Sequence, residues 1–389
     1  MVNEYKIFAL TTDPVYIGTG GYTIGRVDNT IVRDPITKVP KIPGSSLAGV
    51  WRYYTTLEIF SKIKDKKPKR EDIKNQQNGN TLKEKIDTWI KNFNKQGQND
   101  KWDPSNWYFF EGNTLIDLTC AGQDNVPQEE LANIIATNKE GKTGHCGHCL
   151  VCKGFGFSKK DISWQGLIFF SDLNILFFPV FTMQGTKWIT TASRLKEVEI
   201  NGVTEPTDNK VLTKNDNEGH INLGWLYLEV DSTKKLTTNL QFKFDNFQLD
   251  DTNIIVVPEG LFSQIVNSNL EVRTSVSIDP ITGAAKEGAL FTSEAIPRGT
   301  ILYGSIRIFD KSEFNGIDSK LHPLPKASHL ENALKESKHF FETLGIGGMT
   351  TRGFGRIKIK FENEDNINCN STSSNTSTQK IVNKEEQNE

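Results

Sequence analysis

The clearest pattern near the start of the chain is an alternation of apolar and polar residues over residues 4–12, which Asp13 and Pro14 end. This alternation predicts a half-buried strand followed by a turn. After a glycine-rich loop, apolar residues recur every three or four positions from Leu47 to Phe60, which predicts an amphipathic helix reaching about residue 62. Ser45 or Ser46 is expected to cap this helix.

The second half of the chain predicts more strands and a second helix. Strand-like runs cover 166–180, 186–190, 301–309 and 354–361, and residues 270–300 predict a long hairpin with its turn at 279–283. A helix is expected from a cap at Ser328 to Leu344. Residues 196–255 show no clear pattern. The order of elements is compatible with an α+β, ferredoxin-like sheet that carries large insertions.

Composition divides the chain into four parts. The sheet begins in 1–61 and resumes in 158–361, and 62–157 is predicted to be an insertion. Within it, 62–103 has 12 Lys and Arg against 7 Asp and Glu, and is expected to be a surface segment that is partly helical around 82–93. Residues 362–389 are rich in Asn, Ser and Thr and are predicted to be a disordered tail.

The overall composition is that of a globular protein. Of 389 residues, 36% are hydrophobic and 24% charged, and the net charge of −2 argues against a protein coated in positive charge. A local basic groove for nucleic acid remains compatible with that total. The sequence has neither a run of about 18 apolar residues nor a secretion signal, so a cytoplasmic protein without a membrane span is expected.

Three of the five cysteines lie in seven residues. Cys146, Cys149 and Cys152 have the CxxCxxC spacing that lets thiolates converge on one tetrahedral ion. Cys120 is the favoured fourth ligand and His145 the second choice, because a residue adjacent to a ligand rarely points at the same ion. We therefore expect a structural zinc ion that staples the insertion. An iron–sulfur cluster is the alternative metal centre, and three ordinary core cysteines are the alternative without metal.

A loop before the first helix places Asp28 between Arg26 and Arg33. An ionised carboxylate can hold a divalent cation or accept a proton from a 2′-hydroxyl. From the residues alone, an ion pair of Asp28 with Arg26, or a turn cap, is the favoured interpretation, because surface ion pairs are common.

Two glycine-containing segments predict contacts to a phosphate backbone. Gly44, Ser45 and Ser46 begin the first helix, where free amides attract anions, and Arg52 could add charge; an ordinary helix start is the alternative. Near the end of the chain a second loop offers further amides and two arginines: Gly347, Gly348, Arg352 and Arg356. That loop lacks the context of a nucleotide-binding P-loop, which argues against ATP binding.

Taken in order, five segments of this sequence resemble the RAMP backbone proteins of type III CRISPR–Cas systems. They are GRVDNTIVRDPIT around Asp28, PKIPGSSL at the first helix, GLIFFSDLNILFFPV at 166–180, RTSVSIDPITGAAKEGALFTSEAIPRG at 273–299, and the glycine-rich stretch 345–357. The central strands resemble the Cmr (type III-B) branch, which we favour, whereas the Asp28 segment and the cysteine cluster equally resemble the Csm (type III-A) branch.

The resemblance implies an RNA-recognition-motif-like palm and a thumb hairpin, with Ile278, Thr282 and Leu290 near its ends or tip. It implies copies stacked in a filament along a guide RNA, together with other type III subunits. The residue matching the family's catalytic aspartate is Asp28, which would support Mg²⁺- or Mn²⁺-dependent cleavage of target RNA at regular intervals. The products would be a 2′,3′-cyclic phosphate and a 5′-hydroxyl.

One position departs from the family pattern, since Ala48 stands where relatives often carry a lysine. Guide contacts are then expected from Arg33, Arg52 and the Gly347 loop. Two other functions remain open: a structural subunit that coats RNA without cutting it, and a metal-independent nuclease. The second would need a histidine, and His220, His322, His329 and His339 are the candidates.

Overall fold

The computed structural model describes most of the chain, and every structural statement below concerns these residues: 2–20, 27–63, 118–121, 145, 149–159, 162–207, 209–214, 219–234, 236, 240–314 and 324–362. The strands are β1 Val2–Thr11, β2 Lys41–Ile42, β3 Phe157–Lys159, β4 Ile162–Trp164, β5 Ile168–Phe170, β6 Leu173–Thr182, β7 Gly185–Thr190, β8 Lys210–Val211, β9 His220–Leu223, β10 Leu226–Val230, β11 Gln241–Phe244, β12 Phe247–Asp250, β13 Ile254–Val256, β14 Glu271–Ile278, β15 Ala285–Ala295, β16 Ile301–Phe309 and β17 Ile357–Phe361.

The α-helices are fewer than the strands. They are α1 Gly44–Ile63, α2 Leu150–Phe155, α3 Ala192–Glu197, α4 Glu259–Ser268, α5 Ala327–Ser337 and α6 Phe340–Thr343. The described residues form two compact units: the first lies within Met1–Pro179 and Ser263–Asp365, and the second includes Val180–Phe262. The fold is therefore mixed α+β, as the sequence predicts, whereas the division of the chain into four parts stays a prediction.

An antiparallel sheet with the order β6-β16-β1-β17 forms the centre of the first unit. In β1, Leu10 lies opposite Ile301 of β16, and Ala9 lies opposite Ile359 of β17. Strands β2 and β5 extend it by pairing with β6 and β16. The run 166–180, predicted as one strand, is divided at Ser171 and Asp172 into β5 and β6.

Helices α1, α5 and α6 cover one face of this sheet, and Trp51 of α1 lies at the centre of their contact. Its ring packs against Phe170, Phe341 and Phe361 at centroid distances of 5.1–6.1 Å. The indole N–H donates to the Leu334 carbonyl oxygen at 3.1 Å, so the polar atom of this fully buried side chain is satisfied. Trp51 thus connects α1, α5 and α6 to the sheet.

The start of α1 differs from the expected serine cap. The helix begins at Gly44, whose N–H donates to the Asp172 carboxylate at 2.7 Å, and Asp172 also pairs with Lys41 at 2.7 Å. A Cβ on Gly44 would lie 2.6 Å from the Phe170 carbonyl oxygen, so glycine permits this close approach to the sheet. An acid 128 positions later in the chain therefore replaces the local cap predicted at Ser45 or Ser46.

The second predicted helix is interrupted and starts without the expected cap. Helix α5 begins at Ala327 after Lys326, which makes no side-chain capping bond, so the predicted cap at Ser328 is wrong. The helical pattern continues to Leu344, but the structure divides it into α5 and α6. The serine that matters in α5 is Ser337, which is buried and donates to the Ala333 carbonyl oxygen at 2.7 Å.

The long hairpin predicted at 270–300 is confirmed as β14 and β15. The strands pair from Glu271 opposite Ala295 to Val276 opposite Leu290, and an irregularity follows before Ile278. The turn is closed by a hydrogen bond from the Asp279 N–H to the Ala284 carbonyl oxygen. Its distal part is exposed and apolar, because Ile281 is 92% and Leu290 67% exposed.

The second unit fills the region for which the sequence showed no clear pattern. It contains a parallel pair of β13 and β7, a small sheet with the order β8-β10-β9, and the hairpin of β11 and β12. In β10, Leu228 and Val230 face the core, whereas Tyr227 is exposed and stacks on His220 at 4.8 Å. None of the described helices is both long and apolar enough to cross a membrane.

Replacing Trp51 with Ala is expected to destabilise the chain by about 3–5 kcal/mol, because it leaves a cavity where sheet and helices meet. The measurement is the midpoint and slope of urea unfolding. The control is Tyr53→Ala on the same helix, where the side chain is 40% exposed and the expected loss is under about 1 kcal/mol. Equal losses in the two variants would contradict this role of Trp51.

Candidate catalytic loop and cysteine centre

The Asp28 loop is held against the second strand of the hairpin. Asn29 forms a parallel bridge with Ser293, in which the Asn29 N–H donates to the Thr292 carbonyl oxygen and the Glu294 N–H donates to the Asn29 carbonyl oxygen, both at 3.0 Å. The Asn29 side chain also donates to the Ser293 hydroxyl at 3.3 Å. The loop is thereby fixed by backbone bonds at the residue next to Asp28.

The Asp28 carboxylate itself is exposed and bound through one oxygen. Oδ2 accepts the Thr292 N–H at 2.7 Å and the Thr292 hydroxyl at 3.0 Å. These two donors, the backbone N–H first, hold the pKa of Asp28 below its ordinary value of 3.8, so the group is ionised at neutral pH. Among the described residues, no hydrogen bond from another residue reaches Oδ1.

Arg33 is placed near Asp28 in sequence but is engaged elsewhere. Its guanidinium donates to Glu294 at 2.7 Å, to the Asn267 side chain at 2.8 Å and to the Ile31 carbonyl oxygen at 3.0 Å. A contact of Arg33 with RNA would have to share or exchange these partners. Arg26, the other predicted neighbour of Asp28, lies outside the described residues.

The glycine-rich end of the chain folds back on the segment after β1. The Gly348 N–H donates to the Tyr16 carbonyl oxygen at 3.0 Å. Gly347 has a φ of 87°, and a Cβ there would lie 2.2 Å from the same oxygen, so only glycine permits this approach. The predicted close contact of this loop is thus made first with the protein's own backbone.

The two arginines of that loop differ. Arg356 forms a bidentate pair with Asp13, and its pKa is raised by this hydrogen-bonded partner. Arg352 is exposed at the end of a short helical turn, and none of the described residues forms a hydrogen bond or ion pair with its side chain. Both arginines are exposed, so what distinguishes Arg352 is that no acid among the described residues pairs with its charge.

The start of α1 already holds an anion of its own. Burial alone would raise the pKa of Asp172, but hydrogen bonds from Lys41 and from the Gly44 N–H outweigh it and lower the pKa. Ser45 is exposed in the first turn and Ser46 half-buried. A phosphate at this helix start would lie next to the Asp172 carboxylate, which weakens the electrostatic attraction expected from the sequence.

Three of the four favoured metal ligands come together. The sulfur atoms of Cys120, Cys149 and Cys152 lie within 4.8 Å of one another and all three residues are fully buried. Tetrahedral zinc with Zn–S bonds of about 2.3 Å requires sulfur separations of roughly 3.8 Å, so a small inward shift would suffice. The fourth predicted ligand, Cys146, lies outside the described residues. The donor set fits a structural zinc ion.

Arg52, predicted to contact RNA, lies at this cysteine centre. Its Nε donates to the Cys120 carbonyl oxygen at 2.8 Å and its terminal nitrogen lies 2.8 Å from His145 Nδ1. Because arginine has donors only, Nδ1 must be the acceptor, and its lone pair is then not directed at a metal. This contact makes His145 a poor fourth ligand through Nδ1, although that nitrogen lies 4.0 Å from the Cys152 sulfur.

The histidines considered for a metal-independent nuclease have separate surroundings. His339 Nε2 lies 3.0 Å from the Glu58 carboxylate, and His220 stacks on Tyr227. His329 is on α5, and His322 lies outside the described residues.

The sequence did not predict two residues that bind the candidate site: Thr292, which binds Asp28, and Asp172, which binds the start of α1. Each acts on a group more than a hundred positions away, and neither has a spacing pattern that points to its partner. The only available signal was their place within segments that carry the family resemblance.

The chain matches one family model over most of its length and is similar to a known protein over about half of it. A model of the RAMP superfamily matches residues 9–358. The CRISPR system Cmr endoribonuclease Cmr4 of Pyrococcus furiosus is 24% identical over 229 residues, covering 54% of this chain and 74% of that protein.

Solved structures are similar over a larger share of the chain. A chain of the type III-B Cmr-beta complex in its apo state has a TM-score of 0.50 at 13% identity, covering 93% of this chain and 98% of that one. A chain of Cmr-beta bound to cognate target RNA has a TM-score of 0.46 at 13% identity, covering 92% and 97%. At this identity the first of these likenesses shows the fold alone. Because the family model matches most of its length, the chain belongs to the RAMP superfamily.

Proposed function

We propose that this chain is an RNA-binding backbone subunit of a type III CRISPR effector complex, of the Cmr type, and that it cleaves target RNA complementary to a bound guide RNA. The observation that carries the proposal is the exposed, ionised Asp28 carboxylate, held by one oxygen at the base of a projecting hairpin. The family match and the similarity to an endoribonuclease, Cmr4, support it. From the resemblance we also propose a cytoplasmic location, stacking of copies in a filament, and contacts with other type III subunits.

The sheet of the first unit supports a ferredoxin-like palm. In that fold the order is strand, helix, strand, strand, helix, strand, and here β1, α1, β6, β16, α5 and β17 follow it. The spatial order β17-β1-β16-β6 with antiparallel neighbours is also that of a ferredoxin-like sheet. The hairpin of β14 and β15 would be the thumb, whose exposed Ile281 and Leu290 could press against RNA bases.

The proposed reaction is an in-line attack within the target strand. The 2′-oxygen bonds to the adjacent phosphorus, the bond from phosphorus to the 5′-oxygen breaks, and a 2′,3′-cyclic phosphate and a 5′-hydroxyl result. The 2′-hydroxyl loses its proton to water or hydroxide from the solvent, and the leaving 5′-oxygen takes a proton from the solvent.

The lowered pKa of Asp28 favours one of its two candidate roles. A carboxylate that holds its charge strongly is a poor proton acceptor near neutral pH but a good ligand for a hard cation. A bound Mg²⁺ or Mn²⁺ ion would neutralise charge that develops on the phosphate. Asp28 is therefore proposed to hold the cation through its Oδ1, while Thr292 occupies Oδ2.

Contacts with the guide RNA are proposed at exposed groups. Arg352 and Ser45 are the best placed, because one offers an exposed charge and the other an exposed hydroxyl. Gly44, Ser46, Gly347 and Gly348 would contribute backbone or hydroxyl groups. Arg33 and Arg356 already pair with Glu294 and Asp13, so each would have to contact the RNA while keeping or exchanging that acidic partner. Arg26 stays a prediction from the sequence.

The cysteine centre is proposed to hold a structural zinc ion with Cys120, Cys146, Cys149 and Cys152 as ligands. Burial of three thiols in one cluster, without a disulfide between them, supports it. A positive Arg52 bound to the cluster's backbone would favour the thiolate form of the cysteines. When bound, the ion would supply no chemistry but would cross-link segments distant in sequence.

Replacing Asp28 with Asn is expected to slow target cleavage by roughly 10²–10⁴-fold while guide and target binding stay unchanged, because the variant keeps the shape but loses the charge. The measurement is single-turnover cleavage in the reconstituted complex with Mn²⁺. The contribution of the ionised carboxylate should persist as pH falls and be lost only below its ordinary pKa of 3.8.

The matched control is Asp34→Asn, six residues along the same segment. The pKa of Asp34 is lowered to about 2, first by the Thr37 N–H, and its carboxylate is bound by protein donors. This variant should cleave at close to the wild-type rate. Full cleavage by Asp28→Asn would instead favour the subunit that coats RNA without cutting it, and cleavage that survives EDTA would favour a metal-independent nuclease.

Zinc content tests the cysteine centre. Protein purified without chelators is expected to carry about one Zn per chain, and Cys149→Ser should lower that content and the free energy of unfolding, because it removes one ligand. The measurements are elemental analysis and urea unfolding. Cys369→Ser is the control, since Cys369 is the one cysteine outside the proposed ligand set. Metal-free wild-type protein would refute the site.

A further inference from the structure

Thr292 forms a closed ring of hydrogen bonds with Asp28. Its hydroxyl oxygen accepts the Asp28 N–H at 3.1 Å and donates to Asp28 Oδ2 at 3.0 Å, while the Thr292 N–H donates to the same Oδ2 at 2.7 Å. Because the hydroxyl oxygen accepts a hydrogen bond from the Asp28 N–H, the hydroxyl's own hydrogen is free to donate to the carboxylate. One residue thus fixes both the backbone and the carboxylate of Asp28.

The ring joins the acid to the hairpin. Thr292 lies on β15. Beside it, Ser293 forms the bridge with Asn29, and the backbone bonds of that bridge use the Thr292 carbonyl oxygen and the Glu294 N–H. The hairpin strand, and not the loop alone, therefore sets the direction of the carboxylate. A movement of β15 would move Asp28 with it.

We propose that Thr292 is a positioning residue for target cleavage: it binds one carboxylate oxygen of Asp28, directs the other to the reacting phosphate or its cation, and ties the acid to the hairpin. This proposal rests on the proposed function, because it assumes that Asp28 serves cleavage. It adds a residue more than 260 positions away that no comparison assigns.

The other charged groups of these two elements do not replace Thr292. Glu294, two residues further on β15, pairs with Arg33 at 2.7 Å. On β14, Glu271 pairs with Arg273, whose guanidinium also lies 4.7 Å from the centre of the Phe354 ring. Among the described residues, Thr292 is therefore the residue whose side chain and backbone N–H both bind the Asp28 carboxylate.

The experiment compares Thr292→Val, Thr292→Ser and Thr274→Val in the full complex with guide and target RNA. Valine keeps the branched shape but can neither donate to Oδ2 nor accept from the Asp28 N–H, whereas serine can do both. Thr274 lies opposite Thr292 on β14 and is exposed, so its valine variant makes the same chemical change on the same hairpin.

Single-turnover cleavage is measured from acidic to neutral pH, with target binding measured separately. Thr292→Val is expected to cleave roughly fivefold to tenfold more slowly with unchanged target binding. The acidic limb of the variant's pH–rate profile should move to higher pH, because the Asp28 pKa returns toward 3.8 without the Thr292 hydroxyl. The variant should also need more Mn²⁺ for its half-maximal rate. Thr292→Ser and Thr274→Val should remain close to wild type.

The outcomes separate this proposal from the function on which it rests. If Asp28→Asn abolishes cleavage but Thr292→Val matches Thr274→Val in rate, pH profile and Mn²⁺ requirement, Thr292 is not a positioning residue and the proposed function stands. Loss of target binding in Thr292→Val without a change in the pH profile would show a merely structural role and overturn the proposal. Full cleavage by Asp28→Asn would remove both.

Discussion

The parallel bridge between Asn29 and Ser293 fixes the position of the loop that carries Asp28. Backbone hydrogen bonds are directional, and Asn29 makes two of them, one through its N–H to Thr292 and one through its carbonyl oxygen to Glu294, so the loop is fixed at this residue. Asp28, the residue before Asn29, then has little conformational freedom. The hydrogen bonds of Thr292 to its N–H and its carboxylate restrict it further. An exposed carboxylate is thereby held in one orientation without being buried, which keeps it ionised and open to solvent at the same time.

Most of the arginines predicted to contact RNA are bound within the protein. A chain with a net charge of −2 cannot bind RNA through general positive charge, so each cation matters by its place. Arg33, Arg52 and Arg356 are all bound to acceptors within the protein, and these contacts organise the Asp28 loop, the cysteine centre and the segment after β1. Arg352 keeps its exposed charge. Most of the arginines predicted as RNA contacts therefore first serve to position the loops around them.

Periodicity predicted the elements whose burial alternates along the chain: β1, β16, β17, α1 and the hairpin. These depend on local patterns, which one sequence displays. Periodicity could not predict the interactions that join segments distant in the sequence. The cap of α1 comes from Asp172, and the residue that orients Asp28 is Thr292, each more than a hundred positions from its partner. Short polar residues of this kind have no periodic signal, and local serines were the expected but wrong choice for the cap. The small strands of the second unit were missed because two to five residues cannot establish an alternation.

Helix α1 shows how the local and distant interactions combine. Its first residue is fixed by Asp172, and two neighbouring residues in its middle have different partners: Trp51 packs into the core and Arg52 binds the cysteine centre. The side chains of consecutive helix residues point about 100° apart. Trp51 can therefore pack into the core while Arg52 reaches the cysteine centre. Cys120 and Cys149 are 29 positions apart, and holding them together constrains a long segment of chain. Because Arg52 binds the Cys120 carbonyl oxygen, that constraint is transmitted to the same helix whose start was predicted to meet RNA. A metal ion at the cysteines would thus help to hold α1 in place through the contact of Arg52 with Cys120.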